Sequence, residues 1–232
     1  MALVRRGLEA YFDFGKFVRR EGAAGEASPF YGRQRLVFFR LKNGETALVR
    51  AYRHGGMLRH ITGEFFFTWP PRPFKELFLT EEARRRGIPT LEIFAACVER
   101  SWGPFYRGWL VSRELNDARD LWNALQRDCH GGANRGALLR AVAQAVRRMH
   151  RLGIYHRDLN LKNILLKRGE GGVRSYIIDF DKAKLFPGEV PPGTARRNLN
   201  RLLRSARKLD PDGRFLPPED RNLLLRFYRE AD

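Results

Sequence analysis

The run His156-Arg157-Asp158-Leu159-Asn160-Leu161-Lys162-Asn163 spells H-R-D-L-x-x-x-N, a pattern suited to phosphoryl transfer. Moving a phosphoryl group needs an acceptor hydroxyl held in line, a carboxylate to take its proton, and oxygen ligands for Mg²⁺. In that pattern Asp158 has the position of the base and Asn163 that of a metal ligand. Asp179-Phe180-Asp181 follows the short apolar run Tyr176-Ile177-Ile178, and Asp179 is the candidate second ligand, reaching the phosphates through Mg²⁺. Lys162, beside Asn163, is placed to bring positive charge to the transferred group, its plainer reading being a solvent-facing loop lysine. A chance His-Arg-Asp in a basic chain is the alternative. Five matched positions with Asp179 in context speak against it.

Residues that would hold ATP lie upstream and give weaker signals. Arg50 ends the run Ala47-Leu48-Val49-Arg50, where a strand cation pairs with phosphates and with a glutamate on the next helix. Lysine is usual there, but a guanidinium can grip phosphate oxygens with two donors and stays charged. The helical partner is best placed at Glu76, with Glu82 second. The alternatives are an ordinary exposed strand arginine and a solvated helix glutamate. A full G-x-G-x-x-G is absent; Gly32 is the candidate remnant of a phosphate-covering loop, with Gly22 and Gly25 further back. Glu114, in the polar linker at about residues 112–117, joins the nucleotide-binding candidates.

These residues need elements to position them. An Asn-Gly at 43–44 between residues 33–41 and 46–52 predicts a β-hairpin, because that turn needs positive φ. Residues 54–72 read as loop. A helix is predicted from Pro73 to Arg86, with Phe74, Leu77, Phe78 and Ala83 on one side and Gly87 and Pro89 stopping it. Strands are expected at Leu91 to Arg100 and Gly108 to Arg113. Leu138, Val142, Ala145, Val146 and Met149 mark an amphipathic helix ended by Gly153. A second hairpin is expected from 164–166 and 176–178, joined by 167–174, then helices around 195–209 and 218–230. The expectation is an α+β, bilobal chain. Residues 1–113 form a small β-rich lobe with one main helix, and 114–232 a mostly helical lobe.

Composition bounds the rest. The 232 residues carry a formal charge of +18, with 43% apolar and 12% aromatic residues, which excludes general disorder. Cys97 and Cys129 have no metal-like spacing and point to a reducing compartment. No apolar run approaches the ~20 residues of a membrane span, and the first residues do not read as a signal peptide. A cytosolic globular protein is expected. The charge fits nucleic acid, an anionic membrane face or phosphorylated substrates, or no ligand at all. In the predicted helix 195–209, Arg197, Arg201, Arg204 and Lys208 recur at helical spacing, so that face either meets an acidic partner or is a solvated helix face.

Taken together these motifs resemble the protein-kinase-like superfamily and, within it, bacterial lipopolysaccharide kinases. Residues 48–58 resemble their V-L-R-x-Y-R-R-G-G-L segment, with His54 where the second of the paired arginines is usual. Residues 155–166 resemble Y-H-x-D-L-N-x-x-N-I-L-L, residues 179–182 match D-F-D-[KR], and residues 198–209 resemble N-L-x-R-L-x-R-S-x-x-K-L. The nearest branch is the 3-deoxy-D-manno-oct-2-ulosonic acid (Kdo) kinases. The resemblance covers about residues 30–210. It implies ATP- and Mg²⁺-dependent phosphorylation of a Kdo hydroxyl in the lipid A–Kdo inner core, at the cytoplasmic face of the inner membrane. A related heptose or aminoglycoside-type phosphotransferase is the nearer alternative. A non-catalytic kinase-like module on an anionic membrane or nucleic acid is the more distant one.

Overall fold

Thr46 to Ala51 alternates buried and part-exposed side chains, and it forms strand β3 (Thr46–Ala51) inside a sheet whose two faces are both covered. The structure is a computed structural model and describes residues 1–11, 37–41, 44–52, 65–127 and 133–231. Expectations placed on Gly22, Gly25, Gly32, Asn43, His54 and Cys129 lie outside the described residues. The chain divides into two compact units, Met1–Glu81 with Leu91–Glu114, and Glu82–Thr90 with Leu115–Asp232. Glu114 clusters with the first unit because its N–H still donates to the Thr46 carbonyl, at 2.9 Å, one residue beyond the strand that precedes it.

The first unit is an antiparallel sheet ordered β1-β4-β5-β3-β2, from β1 (Ala2–Val4), β2 (Val37–Arg40), β3, β4 (Ile93–Arg100) and β5 (Tyr106–Arg113). The hairpin expected around Gly44 is present, with Gly44 at φ +85° and Leu41 N–H donating to Glu45 across the turn at 2.7 Å. Ile93 to Val98 are all buried, and a bulge between Ile93 and Ala95 splits them between two apolar clusters. Phe94, Ala95, Val49 and Val111 belong to one cluster; Ile93, Ala96, Phe66 and Leu110 belong to the other.

Helix α1 (Arg72–Arg85) starts one residue before the expected helix, and of its expected face Ala83 is buried while Phe74 and Leu77 pack against an apolar cluster. Pro73, Glu76, Leu79, Thr80 and Ala83 are inside, whereas Phe78, expected to be buried, is 64% exposed. Gly108 on β5 lies under the start of the helix. A Cβ there would stand 2.5 Å from Pro73 Cγ, so only a glycine lets the first turn of α1 lie on the sheet this closely. Glu76, one turn further on, is buried as well.

The second unit holds β6 (Arg119–Asp120), α2 (Leu121–Arg127), α3 (Ala133–Arg151), β7 (Ile154–Tyr155), β8 (Ile164–Gly169), β9 (Gly172–Ile177), β10 (Lys184–Leu185), α4 (Pro192–Leu209) and α5 (Pro218–Glu230). Strands β6, β8 and β9 form one small sheet; β7 and β10 form another. Helix α3 packs on α5 and β9. At its C-terminal end Gly153 has φ +76°, and a Cβ would lie 2.4 Å from the Gly188 carbonyl and 2.6 Å from that of Phe186. The chain reverses there into β7 and the segment carrying His156 to Asn163.

Candidate active site

The loop after β7 is built around a buried histidine. His156 is 1% exposed, donates from Nε2 to the Ile178 carbonyl (2.9 Å), and accepts from the Asp158 N–H on Nδ1 (3.2 Å). Those partners demand the neutral Nε2–H tautomer, and burial also pushes its pKa down. Phe180 is fully buried, edge-on to the imidazole with centroids 5.1 Å apart. One aromatic contact and one hydrogen bond of this imidazole therefore tie the loop bearing Asp158 to the segment bearing Asp179.

Asp158 keeps its carboxylate at the surface, 42% exposed, while its carbonyl accepts from Asn160 Nδ2 and Asn163 Nδ2, both at 2.9 Å. Asn160 Oδ1 in turn accepts from the N–H groups of Lys162 and Asn163, capping the short 3₁₀ turn Leu161–Asn163. Asn163 leads into β8, and its carbonyl accepts from the Ile178 N–H at 3.0 Å, next to the Ile164–Ile177 pair of the ladder. That bond sets Asn163 against Ile178, the residue before Asp179. Asp179 itself sits at φ +68°, a left-handed conformation rare outside glycine.

The donor set fits Mg²⁺. Asn163 Nδ2 is spent on the Asp158 carbonyl, so Oδ1 is the end of the amide left for a cation. Among the described residues no group of three or more His, Cys, Asp or Glu is gathered as a ready-made cation cage. A hard cation that takes one carboxylate, an amide oxygen and the substrate's own phosphates needs no such cage. Lys162 is exposed, and its ammonium lies near Asp120, whose carboxyl burial pushes up and that charge pulls back down.

In the first unit Arg50 and Glu76 form an ion pair, Arg50 reaching both carboxylate oxygens. Glu76 is 3% exposed, and Tyr52 O–H also donates to it. The Arg50 guanidinium lies 5.2 Å from the centre of the Tyr52 ring. Glu82, the second choice for this partnership, is taken by Arg85 and Arg86 at 2.7 Å. Hydrogen bonds from those two guanidiniums lower its pKa to about 2. The Glu114 N–H is used by Thr46.

A sequence profile of the lipopolysaccharide kinase (Kdo/WaaP) family matches residues 26–228. The chain belongs to this family. Among curated proteins it is 34% identical over 166 residues to a 3-deoxy-D-manno-octulosonic acid kinase of Vibrio vulnificus, spanning 70% of this chain and 66% of that one. It is 36% identical over 168 residues to the enzyme of the same name from Xanthomonas euvesicatoria, spanning 70% and 62%. The chain therefore spans less than two thirds of these relatives' length. Among solved structures it is similar to WaaP in complex with acyl carrier protein, with a TM-score of 0.64 at 20% identity, covering 100% of this chain and 90% of that one. The bilobal α+β fold of this kinase family is thus the fold of the chain.

Sequence reading alone missed the residues beneath the loop of this Kdo/WaaP family member. Asn198, on α4 and fully buried, accepts from the His156 N–H (3.2 Å) and donates to its carbonyl (2.7 Å). The peptide of His156 therefore decides which end of the Asn198 amide is oxygen. His150 donates from Nε2 to Asn198 Oδ1 at 3.0 Å and bonds Tyr228 O–H through Nδ1 at 2.7 Å. Burial pushes the His150 pKa from 6.5 to about 4. Ser205, two turns beyond Asn198, accepts from the Leu161 N–H at 3.2 Å. The only sequence trace of these supports was the Asn198 and Ser205 positions inside the 198–209 resemblance.

Proposed function

We propose that the chain transfers the terminal phosphoryl group of ATP to a Kdo hydroxyl of the lipid A–Kdo inner core. The observation that carries this reading is the placement of Asn163, whose side-chain amide binds the Asp158 carbonyl and whose own carbonyl binds Ile178, next to Asp179. Asp158 accepts the proton of the acceptor hydroxyl as its oxygen bonds to the terminal phosphorus and the phosphorus–oxygen bond to the ADP leaving group breaks. Asn163 and Asp179 would hold Mg²⁺, which when bound neutralises charge on the phosphates. Arg50, oriented by Glu76 and Tyr52, is the phosphate-binding cation of the first unit, and Lys162 adds positive charge beside Asn163.

The family match and the named relatives support the acceptor. No helix among the described residues is long and apolar enough to cross a membrane. Helix α4 carries five arginines and a lysine with no acidic residue. Contact between that face and an anionic leaflet, on the cytoplasmic side where ATP is available, completes the proposal.

Mass spectrometry of lipid A–Kdo incubated with the protein, ATP and Mg²⁺ tests it. The expected product carries added phosphoryl mass on Kdo. Asp158→Asn is expected to lower turnover roughly 10²–10⁴-fold while ATP still binds. Undiminished turnover in that variant removes Asp158 from the mechanism, and an unmodified acceptor with the parent protein removes the acceptor assignment.

A further inference from the structure

Helix α4 meets the catalytic loop along one line of residues. Asn198 clamps both backbone groups of His156, and Ser205 accepts the Leu161 N–H. Arg201 lies between these clamps, on the same side of the helix as both. Its Nη1 stands 3.5 Å from Asp158 Oδ1, with side-chain exposures of 48% for Arg201 and 42% for Asp158. The acidic partner considered for the basic face of α4 is thus, at Arg201, the candidate base itself. An ion pair so exposed is worth little to stability and gives way readily to a better partner.

A guanidinium has five N–H donors in a planar fork that fits a carboxylate with two parallel bonds. One contact at 3.5 Å leaves that fork largely uncommitted. A sugar acid carries its carboxylate on the same ring as its hydroxyls, a few ångström from whichever hydroxyl reacts. Resting on the acceptor reading above, we propose that Arg201 binds the carboxylate of the sugar-acid acceptor and so selects acidic over neutral sugars. Before the acceptor arrives, Arg201 leans on Asp158. The incoming carboxylate takes over the fork, which leaves the Asp158 oxygen to the hydroxyl proton. The clamps at Asn198 and Ser205 hold the two residues at a separation that suits this exchange.

The test compares kcat/KM for a Kdo-bearing lipid acceptor with that for the same acceptor converted to its primary carboxamide. The parent is expected to prefer the acid by roughly tenfold to a hundredfold, the range of a hydrogen-bonded charge pair. Arg201→Gln is expected to bring the ratio close to one, and Arg201→Lys to recover part of it. Arg207→Gln, on the same helix but well away from the Asn198–Arg201–Ser205 line, is expected to keep the parent ratio. Equal thermal midpoints for parent and Arg201→Gln are expected because the pair is exposed, and they separate selection from folding. A parental ratio near one, or an Arg201→Gln variant that keeps the parental ratio, overturns the inference while leaving the kinase reading standing. A parent that phosphorylates neither acceptor but hydrolyses ATP overturns the acceptor reading and the inference with it.

Discussion

Asn198 holds the peptide groups of His156 with the two ends of one amide, its oxygen taking the N–H and its nitrogen the C=O. The grip joins α4 to the catalytic loop across 42 residues of sequence. Replacing Asn198 with Ala leaves the His156 N–H and C=O, and the His150 Nε2–H, buried without this partner. Each orphaned buried group costs about 1–3 kcal/mol, so a loss of about 3 kcal/mol or more is expected in the denaturant midpoint. Asn198→Asp keeps the acceptor but loses the donor, and is expected to fall between parent and Asn198→Ala.

The same network sets a pH dependence. His150 has an ordinary pKa of 6.5, and in the folded chain burial takes it to about 4. Below pH 6.5 the unfolded chain therefore binds a proton that the folded chain refuses, and stability falls as pH drops from about 6.5 towards 4. Buried His156 shifts in the same direction and adds to the slope. For His150 alone the full loss is about 3 kcal/mol at pH 4. Urea titrations at pH 7.5, 6 and 5 should show this decline. A His150→Gln variant should show a flatter one, although it starts less stable.

Arg50→Ala removes the proposed phosphate-binding cation and takes the guanidinium away from the buried Glu76 carboxylate. The expected result is a higher KM for ATP and a stability loss of about 2 kcal/mol. Arg50→Lys should recover part of both, since it restores charge but not the two-pronged grip. Pairing Arg50→Ala with Glu76→Gln should recover stability but not ATP affinity. Calorimetry and thermal melts of the parent and these three variants read the two effects separately.

Gly108→Ala probes the seating of α1 without touching any charged group. The added Cβ meets Pro73 Cγ at 2.5 Å, so the helix must move or the strand must bend. About 1–3 kcal/mol of destabilisation is expected from such overpacking. ATP KM should rise as well, because Glu76 lies one helical turn beyond Pro73. An unchanged KM in a destabilised variant would separate α1 seating from nucleotide binding.

The candidate site residues of the second unit could be proposed from the sequence because they are close together in it. Asp158, Asn160, Lys162 and Asn163 occupy one loop, and Asp179 follows the next hairpin. Periodicity likewise exposed α3, α4 and α5, whose buried faces are long enough to show a helical repeat. Three-residue β1 has no room for a period, and it exists only because β4 offers a free edge. The β8–β9 ladder runs out to Gly169–Gly172, past the expected apolar ends, because the outer pairs such as Lys167–Arg174 face water and give no hydrophobic signal. Glu76 was named from the sequence as the partner of Arg50, but its burial among the apolar residues of α1 was not, because it depends on that partner 26 residues away. Asn198 and His150 gave no chemical signal, each being explained only by partners distant in sequence.

Asp179 adopts φ +68°, where a side chain strains the backbone and glycine does not. Stability and the proposed metal binding consequently pull this residue in opposite directions. Removing the carboxylate as Asp179→Gly is expected to relax the chain by about 1 kcal/mol or more while discarding the proposed metal ligand. On that reading, loss of the function has a downhill route through a single codon position. A descendant that had taken it would be expected to melt later than its ancestor.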